Sequence, residues 1–149
     1  MKVKYDQPKT IFNSYKSVLG QRPLWDWRHG KFYWIDVHEK ILIENDSLFE
    51  KEKQFILPEG ITNILLKDTN SFLITSYDTI VEYNLLTNKK LLLKKIIKLN
   101  ETNRINDGAI DLEGNLWIAT MNKLQTTSTG EILQYSRELN EINTDKSYI

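Results

Sequence analysis

An all-β fold built from a repeated antiparallel unit is what this sequence predicts, and three observations predict it. A period-two alternation rich in aromatic and β-branched residues recurs: Phe32 and Trp34, then Phe72, Ile74 and Ser76, then Leu116, Ile118 and Thr120. A turn–strand–gap–strand pattern appears in GKFYWIDVHEKILIEN from Gly30, NSFLITSYDTIVEYN from Asn70, and GNLWIATM from Gly114 followed by TGEILQYS. Its starts lie 40 and 44 residues apart, a period of about 40 to 50 that belongs to propeller blades or helical arrays. The 3.6-residue periodicity of a helical array is missing, so the predicted unit is a β-propeller blade of about four short strands.

The elements follow in order. LGQRPLWD (19–26) reads as a loop entering a strand, with Pro23 setting a turn and Trp25 packed between blades. The first repeat supplies two strands and QFIL (54–57) another, before the turn Pro58-Glu59-Gly60. ITNILL (61–66), the second repeat and KLLLKKII (90–97) form the next unit, with turns at Asp68 to Ser71 and Thr87-Asn88. NDGAIDL (106–112) opens the third unit, and Glu113-Gly114-Asn115 turns it into LWIATM. Taken alone, Asn106-Asp107-Gly108 reads as a hairpin turn, because Asn and Asp bond their own backbone and Gly tolerates positive φ. Trp25, Trp27, Trp34 and Trp117 recur at strand positions and read as packing residues.

The chain has 149 residues, enough for one domain with a core, and we read 1–149 as a single partial propeller domain. Closed propellers hold about four to eight blades, and an arc of about three leaves long unpaired edges. The expectation is therefore a partner, through self-association or a separate C-terminal half, or a longer protein of which this is the front. Twenty basic and twenty acidic residues balance to zero, without the electrostatic footprint of nucleic-acid binding. The Lys pairs of LLLKKIIK (91–98) read as a solvated strand edge. The absence of cysteine excludes disulfides, thiolate zinc sites and cysteine nucleophiles. MKVKYDQPKTIF lacks the apolar core of a signal peptide, and no apolar run reaches the roughly 20 residues of a membrane span, so a cytoplasmic location with no membrane partner is expected.

Arg104 lifts the Asn106 triplet above an ordinary turn. An Arg two residues before an Asn in an alternating strand puts both side chains on one face. On the innermost strand of a blade, that face looks towards the central channel, where ligands bind. His29 and His38 read as surface turn residues, unlike a zinc pair, and no Ser/His/Asp set, H-E-x-x-H or phosphate-binding loop is present.

LGQRPLWD, GKFYWIDVHEKI, LPEGIT (57–62), RINDGAIDLEGNLWIATM (104–121) and TGEILQYS together resemble the first half of the SMP-30/gluconolactonase/regucalcin family. The most specific piece is R-x-N-D-G…D-x-x-G-x-x-W-x-x-T-M. The resemblance implies a six-bladed propeller with one divalent cation, calcium or zinc, in a central cavity, and hydrolysis of sugar-acid lactones. A cation of that kind polarises the lactone carbonyl and acidifies bound water. By the same resemblance, Arg104 and Asn106 are substrate-binding residues, and Asp107 and Gly108 shape the turn behind them.

Three departures stand beside these matches. Family members read G-E-G-P with the Glu as a metal ligand, whereas here Gly20-Gln21-Arg22-Pro23 offers Gln21 as the only candidate, neutral and beside an added Arg. Calcium affinity depends on ligand charge, and Arg22 in the cavity would repel a cation. The acidic substrate contact expected after Thr120-Met121 is missing from Asn122 to Thr127. The family's remaining metal ligands belong to its C-terminal half. The expectation is that this chain by itself shows neither lactone hydrolysis nor tight calcium binding; the alternative to a lactonase is a truncated or degenerate member, or half of a split propeller, that acts by binding.

Overall fold

A computed structural model describes residues 15–96, 99 and 101–142. MKVKYDQPKTIF and the Ile97 and Lys98 end of the lysine-rich run lie outside the described residues. The described residues form strands and no helix, and so no helix long and apolar enough to cross a membrane. The strands make three four-stranded antiparallel sheets in chain order, three consecutive propeller blades. The first blade holds β1 (Gly20–Asp26), β2 (Lys31–Asp36), β3 (Ile41–Asp46) and β4 (Glu52–Ile56). The second holds β5 (Asn63–Leu66), β6 (Ser71–Thr75), β7 (Thr79–Asn84) and β8 (Lys89–Lys95). The third holds β9 (Asn103–Ile110), β10 (Leu116–Asn122), β11 (Ile132–Tyr135) and the two-residue β12 (Glu141–Ile142), which completes a blade the repeats left a strand short.

Two cores form, one at each junction between blades. Between the first and second, Tyr33, Ile35 and Leu42 pack against Ile64, Phe72 and Ile74. Between the second and third, Leu73 and Ile80 pack against Ile105, Leu116, Ile118 and Tyr135. The middle blade is covered on both faces, and all five residues of β6 are buried, which is why SFLIT carries apolar side chains at successive positions. The outer strand β8 is mostly exposed, as an edge with paired lysines should be. Lys94 does more than solvate that edge: its Nζ donates to the Leu139 carbonyl at 2.8 Å and lies 4.9 Å from the Tyr135 ring centroid, linking two blades.

The second strand of each blade carries, at or near its end, a polar group that fastens the chain beside it. Asp36 accepts from the Val18 and Leu19 amides at 2.6 and 3.2 Å. The Thr75 and Thr62 hydroxyls share a hydrogen bond of 2.9 Å, and the Thr120 hydroxyl accepts from the Glu131 amide at 2.8 Å.

Two tryptophan expectations fail. Trp25 is 48% and Trp27 77% exposed, whereas Trp34 is 8% exposed. LGQRPLWD is also mostly strand rather than loop: Gln21 pairs with Ile35 and Leu24 with Tyr33, across a bulge at Arg22-Pro23. Trp25 pairs with Phe32, on the side of the blade opposite Tyr33 and Ile35, and therefore away from the second blade.

Candidate functional site

Each of β1, β5 and β9 is the innermost strand of its blade, and β5 adjoins both β1 and β9. Asn106-Asp107-Gly108 is not the hairpin turn that the triplet taken alone suggests; it lies within β9, a strand as expected for NDGAIDL. Met121 pairs with Arg104, Thr120 with Ile105 and Ala119 with Asp107, so Asn106 is the extra residue of a bulge. The backbone tolerance that favours a turn is used here for the bulge, because pairing with β10 supplies the hydrogen bonds a hairpin would have supplied. Gly108 allows close approach: a Cβ there would lie 2.9 Å from the Trp117 carbonyl oxygen.

The bulge in β1 holds Arg22 at φ 57°, a left-handed conformation uncommon outside glycine. From there its guanidinium crosses to the third blade, forms an ion pair with Asp107 and donates to the Gly108 carbonyl at 3.3 Å. Asn63 of β5 reaches the same two acceptors: its Nδ2 donates to the Gly108 carbonyl at 2.8 Å and lies 3.5 Å from Asp107 Oδ1. The innermost strands of all three blades therefore meet in one polar cluster. Asn63 is buried, and among the described residues its Oδ1 has no hydrogen-bond partner. Burial lowers the Arg22 pKa, but an arginine starts so far above neutrality that the guanidinium is charged at pH 7.

Of the residues the sequence singles out, Arg104 and Asn106 both stand on this innermost strand. Arg104 is half-buried and donates from Nη1 to the Ile105 carbonyl at 2.9 Å, which leaves other guanidinium N–H groups for a ligand. Between them Ile105 is fully buried, and its amide donates to the Tyr77 carbonyl at 2.7 Å, fixing the strand to the second blade. Asn106 is exposed. Gln21 is exposed on β1. Beyond the end of β10, a cleft of about 350 Å³ is lined by Thr120, Met121, Asn122, Gln125, Thr126 and Ser128 among others, all uncharged.

The second part of the long motif is structural. Asp111 accepts from the Asn115 amide at 2.8 Å, from its side chain at 3.0 Å and from the Trp117 indole at 2.8 Å. Gly114 sits at φ 86° in the same turn, so D-x-x-G-x-x-W describes a braced hairpin. Sequence reasoning missed the Arg22–Asp107 pair and Asn63. The signals for them were an arginine beside Pro23 at a bulge and a lone amide in the apolar run ITNILL.

The model of the SMP-30/Gluconolactonase/LRE-like region matches residues 19–147. The chain belongs to that family. It is 27% identical over 134 residues to YvrE of Bacillus subtilis strain 168, which carries the name of a sugar lactone lactonase; the match covers 90% of this chain and 44% of that protein. Bovine (Bos taurus) regucalcin is 22% identical, over 68% of this chain and 34% of its own length. The chain thus spans less than half the length of these relatives. Among solved structures, the calcium-binding protein regucalcin from Agrobacterium tumefaciens strain C58 superposes with a TM-score of 0.76 at 24% identity, over 87% of this chain and 44% of that one. A luciferin-regenerating enzyme gives 0.74 at 20% identity, over 85% and 45%. These likenesses establish the propeller fold.

The residues present do not fit the divalent cation that the family implies. Gln21 brings no charge, and the carboxylate within the cluster, Asp107, is already paired with Arg22. Among the described residues no group of three or more His, Cys, Asp or Glu side chains is placed to hold a metal ion. Zinc fits no better: His29 Nδ1 is bound to Asp26 at 2.8 Å, and His38 lies in the turn after β2.

Proposed function

We propose that this chain forms the substrate-holding part of a propeller of the sugar-acid lactonase type, with Arg104 and Asn106 as the binding pair. The observation that carries this reading is the bulge at Asn106, which breaks strict alternation and leaves an exposed amide two residues from a half-buried guanidinium on the innermost strand. An amide that both donates and accepts suits ring hydroxyls, and guanidinium N–H groups suit a lactone carbonyl or the carboxylate of the opened acid. Donors aimed at a carbonyl oxygen also favour the charge that develops on it during hydrolysis. Holding the substrate is the part of the reaction these residues serve; their donor set does not fit a metal, and full turnover belongs to the whole propeller of the relatives.

Isothermal titration calorimetry with gluconolactone and gluconate tests the reading. Losing one hydrogen bond through Asn106→Ala should weaken binding by about threefold to tenfold. Equal affinity in wild type and variant would refute the assignment. Calcium-dependent turnover by this chain, abolished by the same substitution, would instead establish a metal-dependent lactonase.

The Arg22–Asp107 pair favours a second reading, a family member that binds without catalysis, because it places a fixed positive charge among the oxygen donors of the innermost strands. Lactone binding without hydrolysis, with or without calcium, is the outcome that separates it from the first.

A further inference from the structure

We infer that the cleft beyond β10 is a polyol subsite: it takes the hydroxylated tail of a sugar acid whose carboxyl end is held at Arg104. This rests on the binding pair proposed above and adds what selects among its ligands, the length and polarity of the tail. The first observation is position. Met121 forms one wall of the cleft and is the direct partner of Arg104 in the ladder between β9 and β10. Opposed residues of an antiparallel pair put their side chains on one face, so the guanidinium and the Met121 wall share a face of the third blade.

The second observation is that the loop around the cleft is fastened at both ends. Asn122 Oδ1 accepts from the Leu124 and Thr126 amides at 3.1 and 3.3 Å. The Thr129 hydroxyl donates to Asn103 Oδ1 at 2.8 Å, and the Thr129 carbonyl accepts from Asn103 Nδ2 at 2.9 Å. A Cβ on Gly130 would lie 2.5 Å from the Thr120 carbonyl oxygen, so glycine lets the loop return this close to β10. A cleft already shaped costs its ligand less ordering. The third is chemistry. The volume of about 350 Å³ suits a small molecule, and no charged side chain lines it. The Gln125 amide and the Thr127 and Ser128 hydroxyls are exposed and, among the described residues, enter no hydrogen bond with the protein. Polyol hydroxyls, which both donate and accept, match these groups. An acyl chain does not, because it would strip them of water and return no hydrogen bond.

Calorimetric titration with gluconate, with glycerate, which shares the carboxyl end but has a short chain, and with hexanoate, which has the chain without hydroxyls, tests this. Wild type should bind gluconate about tenfold more tightly than either of the others. Thr127→Val combined with Ser128→Ala, at two exposed positions and nearly unchanged in shape, should weaken gluconate by about tenfold and glycerate by less than about twofold. Asn106→Ala should weaken gluconate and glycerate alike, since it acts at the end they share. Unchanged gluconate affinity in the double variant, with Asn106→Ala weakened, overturns the subsite and leaves the binding pair standing. The reverse pattern refutes the pair and supports the subsite. Glycerate or hexanoate bound as tightly as gluconate overturns the subsite. Should wild type bind no gluconate, sorbitol, which lacks the carboxyl, reads the cleft alone: NMR shifts of the amides of residues 125–130 that vanish in the double variant support it, and their absence from wild type overturns it.

Discussion

Replacing Asp26 by Asn removes a buried charge at the end of β1, and its cost follows from the groups around it. Asp26 is 1% exposed and accepts from the Arg28 amide at 3.1 Å, from Arg28 Nε at 2.9 Å and from Arg28 Nη2 at 3.3 Å. It also bonds His29 Nδ1 at 2.8 Å. Burial alone would raise the carboxyl pKa; the hydrogen bonds from Arg28 and His29 more than offset this and bring it down to about 2. Against an unfolded value of about 3.9, and at 1.36 kcal/mol per unit, the ionised form contributes about 2 to 3 kcal/mol to folding.

Because the folded pKa is depressed, this contribution is fully present above the unfolded pKa and is lost as pH falls through the folded one. Wild type should therefore lose about 2 kcal/mol between pH 4 and pH 2 through this residue, whereas the Asn variant starts lower and changes less. At neutral pH the variant should unfold about 6 °C below wild type for a chain of this length. Urea unfolding at pH 7, 4 and 2, followed by tryptophan fluorescence, measures both quantities. The reasoning fails if the variant lies within about 0.5 kcal/mol of wild type at pH 7, or if the gap between them is as wide at pH 2 as at pH 5.

Two further outcomes are expected. Ile74→Ala, at a fully buried position of β6 facing the first blade, should cost about 2 to 5 kcal/mol in urea unfolding, and a loss below about 1 kcal/mol would contradict the packing described. Asp111→Ala should release the Trp117 indole and change its fluorescence, yet leave gluconate affinity within about twofold of wild type, since it braces the hairpin rather than touching ligand.

The blade pattern was legible because each strand buries one or both faces, and burial imposes period two or a continuous apolar run. The middle blade shows this best: SFLIT and TIVEYN are strands in the sequence and strands in the fold. What period cannot show is where a strand departs from regularity. Arg22-Pro23 and Asn106-Asp107-Gly108 both carry turn chemistry, and both are bulges inside strands, because a bulge and a turn ask the same backbone freedom of their residues. Trp25 and Trp27 were misplaced for a related reason: an aromatic at a strand position is packed only if the face it lies on has a neighbour, and that depends on blade order.

The same logic separates the two halves of RINDGAIDLEGNLWIATM. Asp111, Gly114 and Trp117 satisfy one another within a single hairpin, so that half of the motif is accounted for without a ligand. Asp107 is satisfied by an arginine 85 positions away, on another blade. Asn106, lifted from the ladder by the bulge, keeps a polar side chain exposed. Residues whose hydrogen bonds close locally tell how the strand is built, and the one lifted from the ladder on the innermost strand is the one we propose for the ligand. A charge that closes across blades does a third thing: it sets the electrostatics that any ligand must meet, and in this chain that charge is carried by Arg22.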